Sequence, residues 1–200
     1  VREFLYQGIC DGASMLGLPD GMRVAPIPEP SWQASFFVEG RPVPKGNLHP
    51  VCPHAATKDA RRYKRCDRPF VTEDFRSDQG KRLQKWMETI VAASVPNKPP
   101  SPLIGAVMID TVFFFGRPKS TRAPFPCTNS TGDEDKLLRG VFDALQVASK
   151  RRNARVHGVM FEDDCQAVGG FRLVRWGLPE GVWIRVSSIE AQRLKLPFDS

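Results

Sequence analysis

The chain has no apolar run approaching the roughly 20 residues that cross a bilayer. It has only three histidines, and its five cysteines are an odd number scattered along the sequence, a poor fit to a secreted scaffold closed by paired disulfides. Residues Val1–Gly17 lack the basic start, apolar block and small-residue cleavage site of an export signal. These shortages argue against a membrane protein, a disulfide-stapled secreted domain and a solenoid. They lead us to expect a cytoplasmic protein whose thiols are free or metal-bound. The most informative shortage is acid: 22 Asp and Glu stand against 29 Lys and Arg, for a net charge of +7 and a pI near 9.4.

What is present is ordinary for a folded chain. Over 200 residues the hydrophobic share is 41% and the charged share 26%, enough for one domain or one domain plus an appendage. The basic excess is clustered. Eight basic residues between Arg41 and Arg68 meet two acids, Asp59 and Asp67, for a net +6. Arg117, Lys119 and Arg122 form a second group, and Lys150, Arg151, Arg152 and Arg155 a third. Such clusters favour a polyanion through phosphate contacts and counterion release, although a solvated, solubilising face has the same composition.

Residues 1–32 read as an extension and Pro-rich linker: their charge of −2 opposes that of the remainder, and Ala25–Pro30 is polyproline-like. Phe4, Leu5, Ile9, Met15, Leu16 and Leu18 suit a short amphipathic piece docked on the body. Residues 33–190 are expected to form the domain, with a basic Cys/His loop at 47–72, and 191–200 a tail. Ala34–Gly40 reads as a strand. Ser77 is placed to cap a helix carrying Leu83, Trp86, Met87, Ile90 and Val91 at helical spacing. Gly105–Phe115 is β-branched and aromatic with few breaks, the strongest strand signal in the chain. Lys136–Gln146 reads as a second helix, and Cys165–Trp176 and Val182–Ile189 as strands joined in a hairpin by Gly177–Gly181. The expected fold is α+β, in the order β-α-β-α-β-β, on a mainly antiparallel mixed sheet with two helices.

Two acidic motifs carry chemistry. In Gly132–Leu145, Asp133 and Asp135 stand at the mouth of the second helix, and Asp135, Arg139 and Asp143, four apart, share its polar face. A cap and helix salt bridges explain one of these aspartates more easily than two. In Phe161–Gln166, three successive acids repel one another unless a cation neutralises them or a turn exposes them to water. The end of the helix and the start of the strand flank one basic loop, Ala148–Gly158, so the two motifs are expected to lie close. Asp133, Asp135 and Asp164 would then offer hard oxygen ligands that suit Mg²⁺ or Mn²⁺ and phosphodiester chemistry.

The order of these motifs resembles the RusA-type Holliday junction resolvases, small dimeric Mg²⁺-dependent endodeoxyribonucleases of phages and prophages. The resemblance spans about Phe36 to Ile189. A G-x-P-x-P-K turn appears as Gly40, Pro42, Pro44 and Lys45, and a P-D-x-D-N-L-x-K-A-x-x-D-A-L element as Gly132–Leu145. A D-D-x-Q-V-like element appears as Asp163, Asp164, Gln166 and Val168, with Ala167 before the valine. The resemblance implies Mg²⁺ held by Asp133, Asp135 and Asp164, with Asp163 in support, and it implies a homodimer cutting four-way junctions by paired nicks in a bacterial or phage-infected cell. The family's helix lysine is Arg139 here, and its asparagine is Lys136. A guanidinium can orient a phosphate but does not give up a proton. Lys45, Arg41, Arg117, Lys119, Lys136, Arg151 and Arg152 would grip the DNA backbone. Two other readings stay open: a DNA-binding protein of this fold with weak or no cleavage, and a metal-dependent nuclease for flaps or forks.

His49, Cys52, His54 and Cys66 form a separate constellation. Their residue types suit a structural Zn²⁺, but the C-x-H-x₁₁-C spacing is unlike standard fingers. Cys10, Cys127 and Cys165 lack a base partner that would mark a nucleophile.

Overall fold

Alternation along the apolar run Ala106–Phe115 sets the architecture. Val107, Ile109, Phe113 and Phe115 are buried on one side of this strand, while Met108, Val112 and Phe114 on the other side are only partly covered. A computed structural model of the chain describes residues 29–46, 77–126, 133–147 and 157–189, and the backbone of 49–51 and 70–72. Its elements are β1 (Gln33–Glu39), β2 (His49–Val51), β3 (Phe70–Thr72), α1 (Asp78–Ser94), β4 (Ala106–Phe115), α2 (Glu134–Leu145), β5 (Ala167–Gly169), β6 (Arg172–Trp176) and β7 (Gly181–Ile189). Short 3-10 turns occupy Val95–Asn97 and Asp164–Gln166.

The fold is α+β, with a mixed sheet of five strands and two helices. Strand β7 lies between β1 and β4 and is antiparallel to both, while β5 and β6 pair in succession along the other edge of β4, both parallel to it. The expected mainly antiparallel mixed sheet is present: β7 makes the long antiparallel pairings with β1 and β4, and the parallel pairings of β5 and β6 are shorter. The predicted hairpin is corrected: β6 and β7 do not pair with each other, because β4 is inserted between them. Residues 177–180 instead arch over the C-terminal end of β4. Gly177 N–H donates to the Phe115 carbonyl at 2.9 Å, and the Glu180 carboxylate accepts from Gly116 N–H at 2.8 Å. A four-residue link looks the same in sequence whether it closes a hairpin or spans an intervening strand.

The predicted strand Cys165–Trp176 is broken twice. A 3-10 turn takes its first residues, and Gly170, at φ +145, divides β5 from β6. At Gly170 a Cβ would lie 1.8 Å from the Ile109 carbonyl oxygen, so only glycine permits this approach to β4. The predicted loop 47–72 carries a strand at each end, since β2 and β3 pair antiparallel as a two-stranded sheet.

The helices form where expected. Ser77 caps α1, its hydroxyl accepting from Gly80 N–H at 3.1 Å. Leu83, Trp86, Met87 and Ile90 of α1 and Leu137, Val141 and Leu145 of α2 join Phe36, Val38, Val182, Ile184 and Val186 in one core with the inner face of β4. No helix among the described residues is long and apolar enough to cross a membrane.

One charge inside β4 escaped the apolar reading. Asp110 is 3% exposed and stands directly opposite Arg185 of β7. Its carboxylate accepts from Arg185 Nε at 2.5 Å and from Phe171 N–H at 2.6 Å. A buried carboxylate is tolerated only when paired and hydrogen-bonded, and removing one partner strands the other. Asp110→Ala is expected to lower stability by about 3 kcal/mol in urea unfolding, and Asp110→Leu/Arg185→Leu by less than the single change.

Candidate nucleic-acid and metal site

Helix α2 begins at Asp133 and ends at Gln146, and the two acidic motifs sit at its opposite ends. Asp133 occupies the N-cap position, but its carboxylate makes no cap hydrogen bond. It holds Lys136 Nζ at 2.8 Å instead. That hydrogen bond and the Asp133 charge push the Lys136 pKa above the usual lysine value, so the ammonium stays protonated. One turn on, Arg139 pairs with Asp135 at 3.4 Å, and both side chains are more than half exposed. The predicted acid–base–acid face is thus present over its first two members.

Its third member turns inward. Asp143 accepts from Lys45 Nζ at 2.6 Å, with both side chains less than one-fifth exposed. Lys45 N–H also donates to the Lys136 carbonyl at 3.0 Å. The G-x-P-x-P-K turn is thereby laid along α2. Lys45, expected on the DNA, is an internal clamp between the turn and the helix.

At the far end, Gln146 is buried and its side-chain oxygen accepts from Asp164 N–H at 3.1 Å. Buried Phe161 bridges both Gln146 and Leu103, which fastens this end of α2 to the approach to β4. The three successive acids are accommodated by a turn in water. Glu162, Asp163 and Asp164 are exposed, and Asp163 forms a capping box with Gln166 over the 3-10 turn. Gln166 Nε2 donates to the Leu103 and Gly105 carbonyls at 3.0 and 2.7 Å, tying the motif to the start of β4. The Asp163 hydrogen bond, followed by burial, raises the Cys165 thiol pKa, so this cysteine is a poor thiolate.

Helix α2 therefore runs antiparallel to β4, and its twelve residues separate the two acidic motifs by about 18 Å. The expectation that Asp133, Asp135 and Asp164 meet within one chain is corrected. The strand motif does lie against the helix, but at its end, whereas Asp133 and Asp135 stand at its beginning. Among the described residues no group of three or more His, Cys, Asp or Glu side chains is placed to hold a metal ion.

Among the described residues, four exposed cations stand at the end holding Asp133 and Asp135. Glu180 draws together two turns there, its carbonyl accepting from Gly40 N–H and its carboxylate from Gly116 N–H. Exposed Arg41 follows the first glycine, and exposed Arg117, Lys119 and Arg122 follow the second. Arg151, Arg152, Cys52, His54 and Cys66 lie outside the described residues, as does the 1–28 segment; His49 opens β2. No family model, no curated protein and no solved structure matches the chain.

The Lys45–Asp143 clamp generates a stability prediction. Lys45→Met or Asp143→Leu alone is expected to cost about 1–3 kcal/mol. The double variant should cost less than the sum, read as a coupling energy in a double-mutant cycle by urea unfolding.

Proposed function

We propose that the chain is a Mg²⁺-dependent, structure-selective endodeoxyribonuclease of the RusA type that resolves four-way junctions as a homodimer. Three motifs in family order support this reading. The observation that carries it is the placement of exposed carboxylates at the two ends of α2, with exposed cations gathered around one of them. In the proposed homodimer, a twofold axis perpendicular to α2 and passing beside its middle would set two copies of the helix antiparallel. The N-terminus of each then lies beside the C-terminus of the other. Asp133 and Asp135 would thus be completed by Asp164 of the partner subunit, giving two identical sites per dimer, as two matching nicks require.

The donor set is all carboxylate oxygen, the chemistry preferred by Mg²⁺. When bound, the ion would supply activation of water and stabilisation of the charge on the phosphate. The chain's own residues do the rest. Arg139 is within reach of Asp135 and presents a planar fork that fits two phosphate oxygens, orienting the scissile group without serving as an acid. Lys136, held protonated beside Asp133, adds positive charge at the same place. Arg41, Arg117 and Lys119 hold the arms through the backbone, so the junction is selected by shape more than by base edges.

One observation favours the second reading, a DNA-binding protein with weak or no cleavage: Asp133 and Asp135 are each already paired with a cation. A mixing experiment separates the two. Asp133→Asn/Asp135→Asn and Asp164→Asn variants should each fail to nick a synthetic junction in Mg²⁺. Mixed after subunit exchange, they should recover about one quarter of wild-type sites, because half the dimers are hybrid and each hybrid holds one intact site. Junction binding without nicks by the wild-type protein supports the second reading, and no recovery on mixing rejects the shared site.

The same surface predicts salt dependence. Arg117→Ala and Lys119→Ala should each lower the slope of log K against log salt for junction binding by about 1, with affinity falling equally for different sequences.

A further inference from the structure

Both helices lie against one face of the sheet, and no described element packs on the other. That open face carries three aromatic rings towards the C-terminal end of β4. Phe37 is 39% exposed, and Phe114 and Trp183 are partly exposed. Phe37 and Trp183 are direct cross-strand partners on β1 and β7. The Phe37 ring reaches across β7 to Phe114, with centroids 6.1 Å apart and planes tilted by 56°.

Two glycines make room for these rings. A Cβ at Gly181 would lie 2.5 Å from Phe37 Cζ, and one at Gly177 would lie 2.7 Å from Phe114 Cδ1. Cations flank the ledge. Exposed Arg175 is the cross-strand partner of Phe114 and offers the free charge, while the Arg185 guanidinium, held by Asp110, lies 5.7 Å from the Trp183 ring and fixes it in place. At the same end, the chain passes from Phe114 to Arg117 and Lys119, and from Phe37 to Arg41.

We infer that this open face is a stacking platform for the unpaired bases of single-stranded DNA. An aromatic surface bordered by arginines on a strongly basic chain is the chemistry that unpaired nucleotides require: π-faces for the bases and guanidinium groups for the backbone. A duplex keeps its bases stacked inside and gains only the electrostatic part. The choice of DNA over RNA rests on the nuclease reading. The platform itself needs neither Mg²⁺ nor Asp133, Asp135 or Asp164.

The test is fluorescence anisotropy of a labelled oligodeoxythymidine, with a duplex of equal length alongside, in EDTA at low salt. The wild-type protein should bind the single strand. Phe37→Ala should weaken that binding by roughly tenfold and leave duplex affinity unchanged, while Phe37→Tyr keeps wild-type affinity. Arg175→Ala should weaken both. Thermal melting of each variant checks that it is folded, and Phe37, the most exposed of the three rings, is the change the fold tolerates best. Equal binding by wild type and Phe37→Ala overturns the inference, as does tighter binding of an RNA oligomer. Conversion of a dimer to a monomer by Phe37→Ala in sedimentation also overturns it, by making the face a contact between copies. Loss of single-strand binding with junction nicking intact leaves the nuclease reading standing. Single-strand binding by a protein that never nicks leaves the platform standing alone.

Discussion

The tie between the end of α2 and the start of β4 decides the polarity of the molecule. Phe161 makes bridges to both Gln146 and Leu103 and is fully buried, so the helix is held with its C-terminus at the N-terminal end of the strand. The Lys45 N–H bond to Lys136 holds the opposite, N-terminal end of the helix to the turn after β1, and the Lys45–Asp143 pair continues that contact along it. Between these two fastenings α2 has no freedom to reverse. The two acidic motifs therefore belong to different ends of the domain, whatever their proximity in sequence.

Local signals were legible because they depend on neighbouring residues. Ser77 announces a helix through its own hydroxyl, and the run from Ala106 to Phe115 is too β-branched and aromatic to be anything but a buried strand. The misses were long-range. Whether β6 pairs with β7 depends on which strand claims the space between them, and β4 arrives from more than 50 residues earlier. Asp110 sits inside an apolar run, where a lone charge demands a buried partner, and the partner, Arg185, is likewise the one charge in β7. In the second acidic motif, Gln166 and Asp163 spend their polar atoms on the turn and on the Leu103 and Gly105 carbonyls. Part of that motif's chemistry is architecture.

The mouth of α2 carries three acids, Asp133, Glu134 and Asp135, against Lys136 and Arg139, a local acidic excess in a chain of net +7. Asp133 with Lys136 and Asp135 with Arg139 are surface pairs, and such pairs contribute little to stability because water and salt screen them. They are therefore easily exchanged for other partners. The Lys45–Asp143 pair is withdrawn from solvent and is not readily given up. Two exposed, weakly held carboxylates next to one committed pair divide the helix into a part that can take part in binding and a part that holds the frame.

The sheet separates two surfaces that meet at one edge. Helix α2 opens on one face and the aromatic ledge lies on the other, yet both face the C-terminal end of β4, where Glu180 gathers the turns bearing Arg41 and Arg117. In the proposed reading, a nucleic acid held by those cations would have the carboxylates on one side and the rings on the other. That arrangement suits a substrate with both paired and unpaired character better than a uniform duplex, which has only its backbone to offer to either side. The glycines at 177 and 181 are the local cause, because any side chain at either position would displace a ring from the ledge.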